Sequence, residues 1–113
     1  MSLEDLKAKK VKELSSEKLS DDKISEYLKG FEYWGLDEHN RLITNFEMDN
    51  FKQALDLVNK IGELAEENEH HPDLTIYEYN NVLVTFYTHD VEGLTEKDFA
   101  MAAKIEDLFT DAK

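Results

Sequence analysis

The sequence predicts an α+β fold: a four-stranded antiparallel sheet with helices packed on one face, in the order α-α-β-β-α-β-β-α. Two pairs of short β-rich segments, each joined by a tight polar turn, predict two hairpins. A long segment with apolar residues every three or four positions lies between the pairs and predicts a helix. Further helical patterns stand at either end, and the chain has no internal repeat or low-complexity linker.

Residues 2–14, SLEDLKAKKVKEL, start with a capping Ser2 and set Leu3, Leu6, Val11 and Leu14 roughly on one side of a short helix. Residues 1–18 form an N-terminal helical extension on this reading, and 19–113 a single domain. A second helix opens at Ser20, with Asp21 and Asp22 in its first turn. It turns Ile24, Tyr27 and Leu28 inward and stops at Gly30. Phe31 to Leu36 and Arg41 to Met48 predict the first hairpin, with Asp37-Glu38-His39-Asn40 as its turn. Leu42, Thr44, Phe46 and Met48 share one face of its second strand. His39, at the tip, reads as a solvated loop residue. Asp49 is the expected N-cap of the longest helix, Asn50 to Glu67, whose apolar side carries Phe51, Ala54, Leu55, Val58, Ile61 and Ala65. Thr75 to Tyr79 and Val82 to Thr88 predict the second hairpin, hinged at Asn80-Asn81. The last helix begins at Thr95 and faces Phe99, Ala102, Ile105 and Phe109 inward.

Composition bounds the function. The 113 residues are 41% hydrophobic and 11% aromatic, enough for one modest core. Without cysteine, disulfides and thiolate–metal sites are excluded. No apolar run approaches the roughly 20 residues that span a bilayer, and MSLEDLKAKK lacks the apolar centre of a secretory signal. A soluble cytoplasmic protein with no membrane partner is expected. Net charge is −13, of which residues 61–113 carry −10. Such a surface repels phosphate backbones, so direct nucleic-acid binding is not expected.

Three of the four histidines lie between Glu66 and Asp98. His70 and His71 follow Glu66, Glu67 and Glu69 and precede Pro72, the only proline; His89 precedes Asp90. Imidazoles grouped with carboxylates suggest acid–base chemistry near neutral pH. An antiparallel hairpin returns its end to the sheet edge where it began, so His70 and His71 are expected beside His89. Three imidazoles and a carboxylate could also hold zinc. Adjacent histidines, however, do not readily face one ion, and the helical H-x-x-x-H spacing is missing. Asp98 has a structural role open to it, since Thr95-x-x-Asp98 has capping-box spacing. Trp34 could belong to the core or line a shallow pocket.

The pattern Glu66-x-x-x-His70-His71-Pro72, then Tyr79, His89 and Asp98, resembles the signature of the pterin-4a-carbinolamine dehydratases. Leu19-Ser20, Trp34, Thr88-His89 and Gly93-Leu94-Thr95-Glu96-x-Asp98 extend the resemblance over about residues 19–110. It implies dehydration of 4a-hydroxytetrahydrobiopterin to quinonoid dihydrobiopterin, with no metal or organic cofactor, by a homodimer or tetramer. His70 and His89 would transfer protons, His71 would hold the substrate, and Glu66 and Asp98 would orient the imidazoles. Trp34, Glu69, Pro72, Tyr87, Thr88 and Asp90 would join the histidines in lining the pterin site. Two other readings stay open. One is a non-catalytic dimerisation, assembly or transcriptional-coactivator protein; the other is a molybdopterin-related role.

Overall fold

The structure, a computed structural model, describes residues 2–112. Four helices accompany one sheet: α1 (Leu3–Ala8), α2 (Asp21–Leu28), α3 (Phe51–Asn68) and α4 (Glu96–Ala112). The strands are β1 (Gly35–Leu36), β2 (Leu42–Glu47), β3 (Asp73–Tyr77) and β4 (Asn81–Phe86). They pair antiparallel, as the fold class predicts, and their order is β1-β2-β4-β3. No helix among the described residues is long and apolar enough to cross a membrane.

Alternation builds the core. Leu42, Thr44 and Phe46 of β2 lie opposite Phe86, Val84 and Val82 of β4, and all six are buried on the face that the helices cover. Burying a phenylalanine of this kind contributes about 2–3 kcal/mol. From the helices, Ala54, Leu57, Ile61 and Ala65 of α3 and Phe99, Ala102 and Ile105 of α4 complete the core.

Several boundaries differ from the sequence reading, each for a physical reason. The expected helix over 2–14 breaks at extended Lys9 and resumes as a 3-10 turn at Val11–Glu13. Leu6 and Val11 sit about 140° apart around a regular helix, so one straight rod could not bury both. Both are fully buried here. The N-cap of α3 is Asn50, not Asp49: its side chain accepts the Gln53 N–H at 2.8 Å. Phe51 and Leu55 face solvent and Leu57 takes the inward place, because the small Ala54 and Ala65 set which side meets the sheet. Only Gly35 and Leu36 pair as β1. The residues before them turn inward instead, with Trp34 buried and Phe31 stacked on Phe99 at 6.1 Å. The Thr44 hydroxyl donates to the Tyr33 carbonyl at 2.6 Å, and the Tyr33 N–H donates to Glu106 at 3.0 Å. In the second hairpin Glu78 and Tyr79 make the turn at φ 46° and 77°. Asn80 cannot, because its side-chain amide donates to the Met48 carbonyl at 2.7 Å and its own carbonyl accepts the Met48 N–H at 2.9 Å.

The amino-terminal segment packs along α4. Lys7 reaches Asp107 at 3.1 Å, and the Lys104 ammonium donates to the Lys7 carbonyl at 2.8 Å. Further on, the Ser15 N–H donates to Glu96, and the Leu19 N–H donates to the Leu94 carbonyl at 2.8 Å.

Candidate active site

The site forms where α3 ends, β3 begins and β4 leaves the sheet. Helix α3 closes on Glu69, which adopts left-handed geometry at φ 53°. The N–H groups of Glu69 and His70 both point back to the Ala65 carbonyl. This cap swings the chain out of the helix, so His70 and His71 leave in different directions.

His70 turns inward. Its ring lies parallel to Phe86 of β4, with centroids 5.7 Å apart and planes within 6°. Its Nε2 meets Asp98 Oδ1 at 2.7 Å. Asp98 is completely buried, and its other oxygen is fully engaged. Oδ2 accepts the Thr88 hydroxyl at 2.7 Å and the Thr95 N–H at 2.9 Å, with the Thr95 hydroxyl at 3.5 Å. The capping-box spacing therefore does form a cap, and the same carboxylate also holds a histidine. With Asp98 ionised, its carboxylate only accepts hydrogen bonds, which places the proton of this contact on His70 Nε2.

His71 turns outward. Its Nε2 meets Glu66 Oε2 at 2.5 Å, and both side chains are exposed, at 58% and 78%. His89 begins a 3-10 turn, His89–Val91, closed by a bridge between Thr88 and Gly93. It is exposed, and the Tyr87 ring stands edge-on to it with centroids 5.0 Å apart. The β3–β4 register, with Asp73 opposite Thr85, runs the two chains on together towards His70 and Thr88. Asp98 then bridges those two residues. The geometry thus brings His70, Asp98 and Thr88 into one bonded unit, with a His71–Glu66 pair and a His89–Tyr87 pair at the same end of the sheet.

The remaining expected residues divide. Glu69 is exposed and its carboxylate lies 3.6 Å from the Lys12 ammonium. Pro72 is half-buried ahead of β3, and Asp90 is exposed in the turn after His89. Trp34 sits in the core among Phe31, Phe46 and Phe86 and approaches the site through Phe86; its indole N–H is buried without a protein acceptor. Among the described residues no group of three or more His, Asp or Glu side chains is placed to hold a metal ion. The sequence reading did not include two contributors. Phe86 could have been found from its inward place in an alternating strand, whereas nothing in the sequence marks Lys12 as the partner of Glu69.

Known proteins resemble this chain in sequence and fold. A family model described as Pterin 4 alpha carbinolamine dehydratase matches residues 17–108. A protein of Rubrobacter xylanophilus, provisionally named a pterin-4-alpha-carbinolamine dehydratase, is 44% identical over 87 residues, covering 77% of this chain and 78% of its own. One of Chloroflexus aggregans with the same provisional name is 42% identical over 91 residues, covering 80% and 96%. Among solved structures, a transcriptional coactivator/pterin dehydratase from Brucella melitensis superposes with a TM-score of 0.77 at 29% identity. That match covers 82% of this chain and 99% of that one.

Proposed function

The chain belongs to the pterin-4a-carbinolamine dehydratase family, and from that premise we propose that it dehydrates 4a-hydroxytetrahydrobiopterin to quinonoid dihydrobiopterin by histidine acid–base catalysis. The observation that carries this reading is the His70 imidazole, bonded to the buried Asp98 carboxylate at the sheet end where β4 delivers Thr88 and His89.

The reaction breaks the C4a–O bond and forms a C4a–N5 double bond. One proton reaches the leaving hydroxyl, which departs as water, and one leaves N5. Imidazoles can do both near neutral pH. Asp98 fixes His70 by its Nε2, so Nδ1 is the atom that exchanges the proton. His89, exposed at the rim, is the second proton-transfer group. His71, oriented by Glu66, holds the substrate from the solvent side. Positioned acid–base catalysis supplies about 10²- to 10⁴-fold.

Stopped-flow decay of freshly generated 4a-hydroxytetrahydrobiopterin tests this. Wild-type protein should accelerate the decay, and His70→Ala and His89→Ala should each lose about 10- to 10³-fold. Decay no faster than in buffer would refute the proposal.

A second reading, of an interaction protein, is favoured by Phe51 and Leu55, which lie one turn apart on α3 and are 48% and 39% exposed. Under that reading a stoichiometric complex survives replacement of His70, His71 and His89 together and is abolished by Phe51→Glu.

A further inference from the structure

The amino-terminal segment carries a run of lysines, Lys7, Lys9, Lys10 and Lys12, ahead of a domain whose residues 61–113 hold a charge of −10. Lys12 and Ser15 precede residue 17, where the family match begins, so that match does not reach them. Both contact elements that deliver site residues.

Residues 12–19 touch three parts of the catalytic end in turn. The Lys12 ammonium meets the Glu69 carboxylate at 3.6 Å, one residue before His70. The Ser15 N–H donates to the Glu96 carboxylate at 3.3 Å, at the start of α4 and two residues before Asp98. The Lys18 stem lies across Gly93, 2.7 to 3.1 Å from where a Cβ would stand. Gly93 in turn bridges Thr88, whose hydroxyl donates to Asp98. The Leu19 N–H then donates to the Leu94 carbonyl at 2.8 Å. The stretch is itself fixed: Val11 and Leu14 are buried at its start, and the Glu17 N–H donates to the Ser15 hydroxyl at 3.0 Å.

The first of these contacts falls where the histidines part. Glu69 closes α3 in left-handed geometry, which glycine or asparagine adopts readily and a longer side chain does not. A glutamate there strains the backbone, and what it adds is a carboxylate. Glu66 and Glu67 close by carry the same charge and oppose it. Lys12 supplies the opposite one. In the cleft between the 3-10 turn and the end of α3, Lys10, Lys12 and Glu13 face Glu67 and Asn68. The direction of the cap decides where His70 and His71 point, so a cation that holds Glu69 also holds the aim of both imidazoles.

We propose that residues 12–19 brace the catalytic end and that Lys12 is a positioning residue, acting through Glu69 on His70 and His71. The proposal rests on the dehydratase reading for its rate measurement and stands free of it for its spectroscopic one.

Lys12→Met keeps the stem and removes the charge. It is tested in stopped-flow decay of the carbinolamine and through the imidazole nitrogen signals in NMR spectra. kcat should fall about 2- to 5-fold, the size of an exposed ion pair, with KM unchanged, and the His70 and His71 signals should move. Lys12→Arg restores the cation and should return both readouts to wild type. Unchanged signals overturn the brace, as does a loss that falls on KM alone, or a kcat that stays while the signals move. Any of these leaves the dehydratase reading standing. Wild-type protein that accelerates no decay overturns that reading, and the signals then decide the brace alone: movement in Lys12→Met with recovery in Lys12→Arg supports it, and no movement overturns it.

Discussion

His70 and His71 are neighbours with the same side chain, and each meets one carboxylate through Nε2. Their surroundings differ. His70 is mostly covered and its partner Asp98 is fully buried, whereas His71 and Glu66 stand in water. A buried pair is barely screened, and removing one member strands the other; an exposed pair is weakened by water and salt. One residue of displacement along the chain therefore turns one kind of contact into a structural anchor and the other into an adjustable arm. The left-handed cap at Glu69 makes that difference.

The comparison is most severely tested at Asp98. Asp98→Ala leaves the Thr88 hydroxyl, the Thr95 N–H and His70 without an acceptor, and should cost about 3–5 kcal/mol of stability in urea denaturation. Next comes the histidine pair. His70→Ala strands a buried carboxylate and should cost about 2–4 kcal/mol, against less than about 1 kcal/mol for His71→Ala. Equal costs would abolish the distinction. Smaller still, Glu66→Gln should change stability by less than about 1 kcal/mol, and 1 M salt should reduce what remains.

Glu106 sharpens the comparison from a third side. Burial, with the charges of Glu32 and Asp107 adding to it, pushes its carboxyl above the ordinary carboxylate value, against the hydrogen bond from the Tyr33 N–H. A raised carboxylate favours the protonated folded state. Its ionisation therefore costs stability once pH exceeds the folded value, and costs nothing below the unfolded one. Glu106→Gln, which keeps the acceptor for Tyr33, should leave stability unchanged at pH 3 and raise it by about 0.5 kcal/mol or less at pH 7. Thermal melts at both pH values check the sign.

Much of this was legible in the sequence. A period-two pattern placed β2, a β-rich run after the Asn80-Asn81 turn placed β4, and helical periods placed α3 and α4, because those elements are long and half-buried. The segment before β1 misled because Phe31 and Trp34 have the composition of a strand, yet they are buried by packing without a ladder. Glu78 and Tyr79 were unreadable as a turn, since neither residue type signals positive φ. At the site, spacing alone suggested the cap between Thr95 and Asp98. That the same carboxylate also binds His70 depends on how α3 ends and α4 begins, and no local pattern records that.

The contact between α1 and α4 bears on the order in which the fold can assemble. Lys7 meets Asp107 across 100 positions, and Leu6 and Val11 are buried beside α4. Helix α1 thus has its partner in α4, made much later in synthesis, and loop closure on this scale is slow relative to local pairing. Asp98 arrives on that same helix, so until α4 emerges His70 lacks its Asp98 anchor and Thr88 its Asp98 acceptor. The arrival of α4 both seats α1 and completes the buried pair, and without α4 the chain has neither.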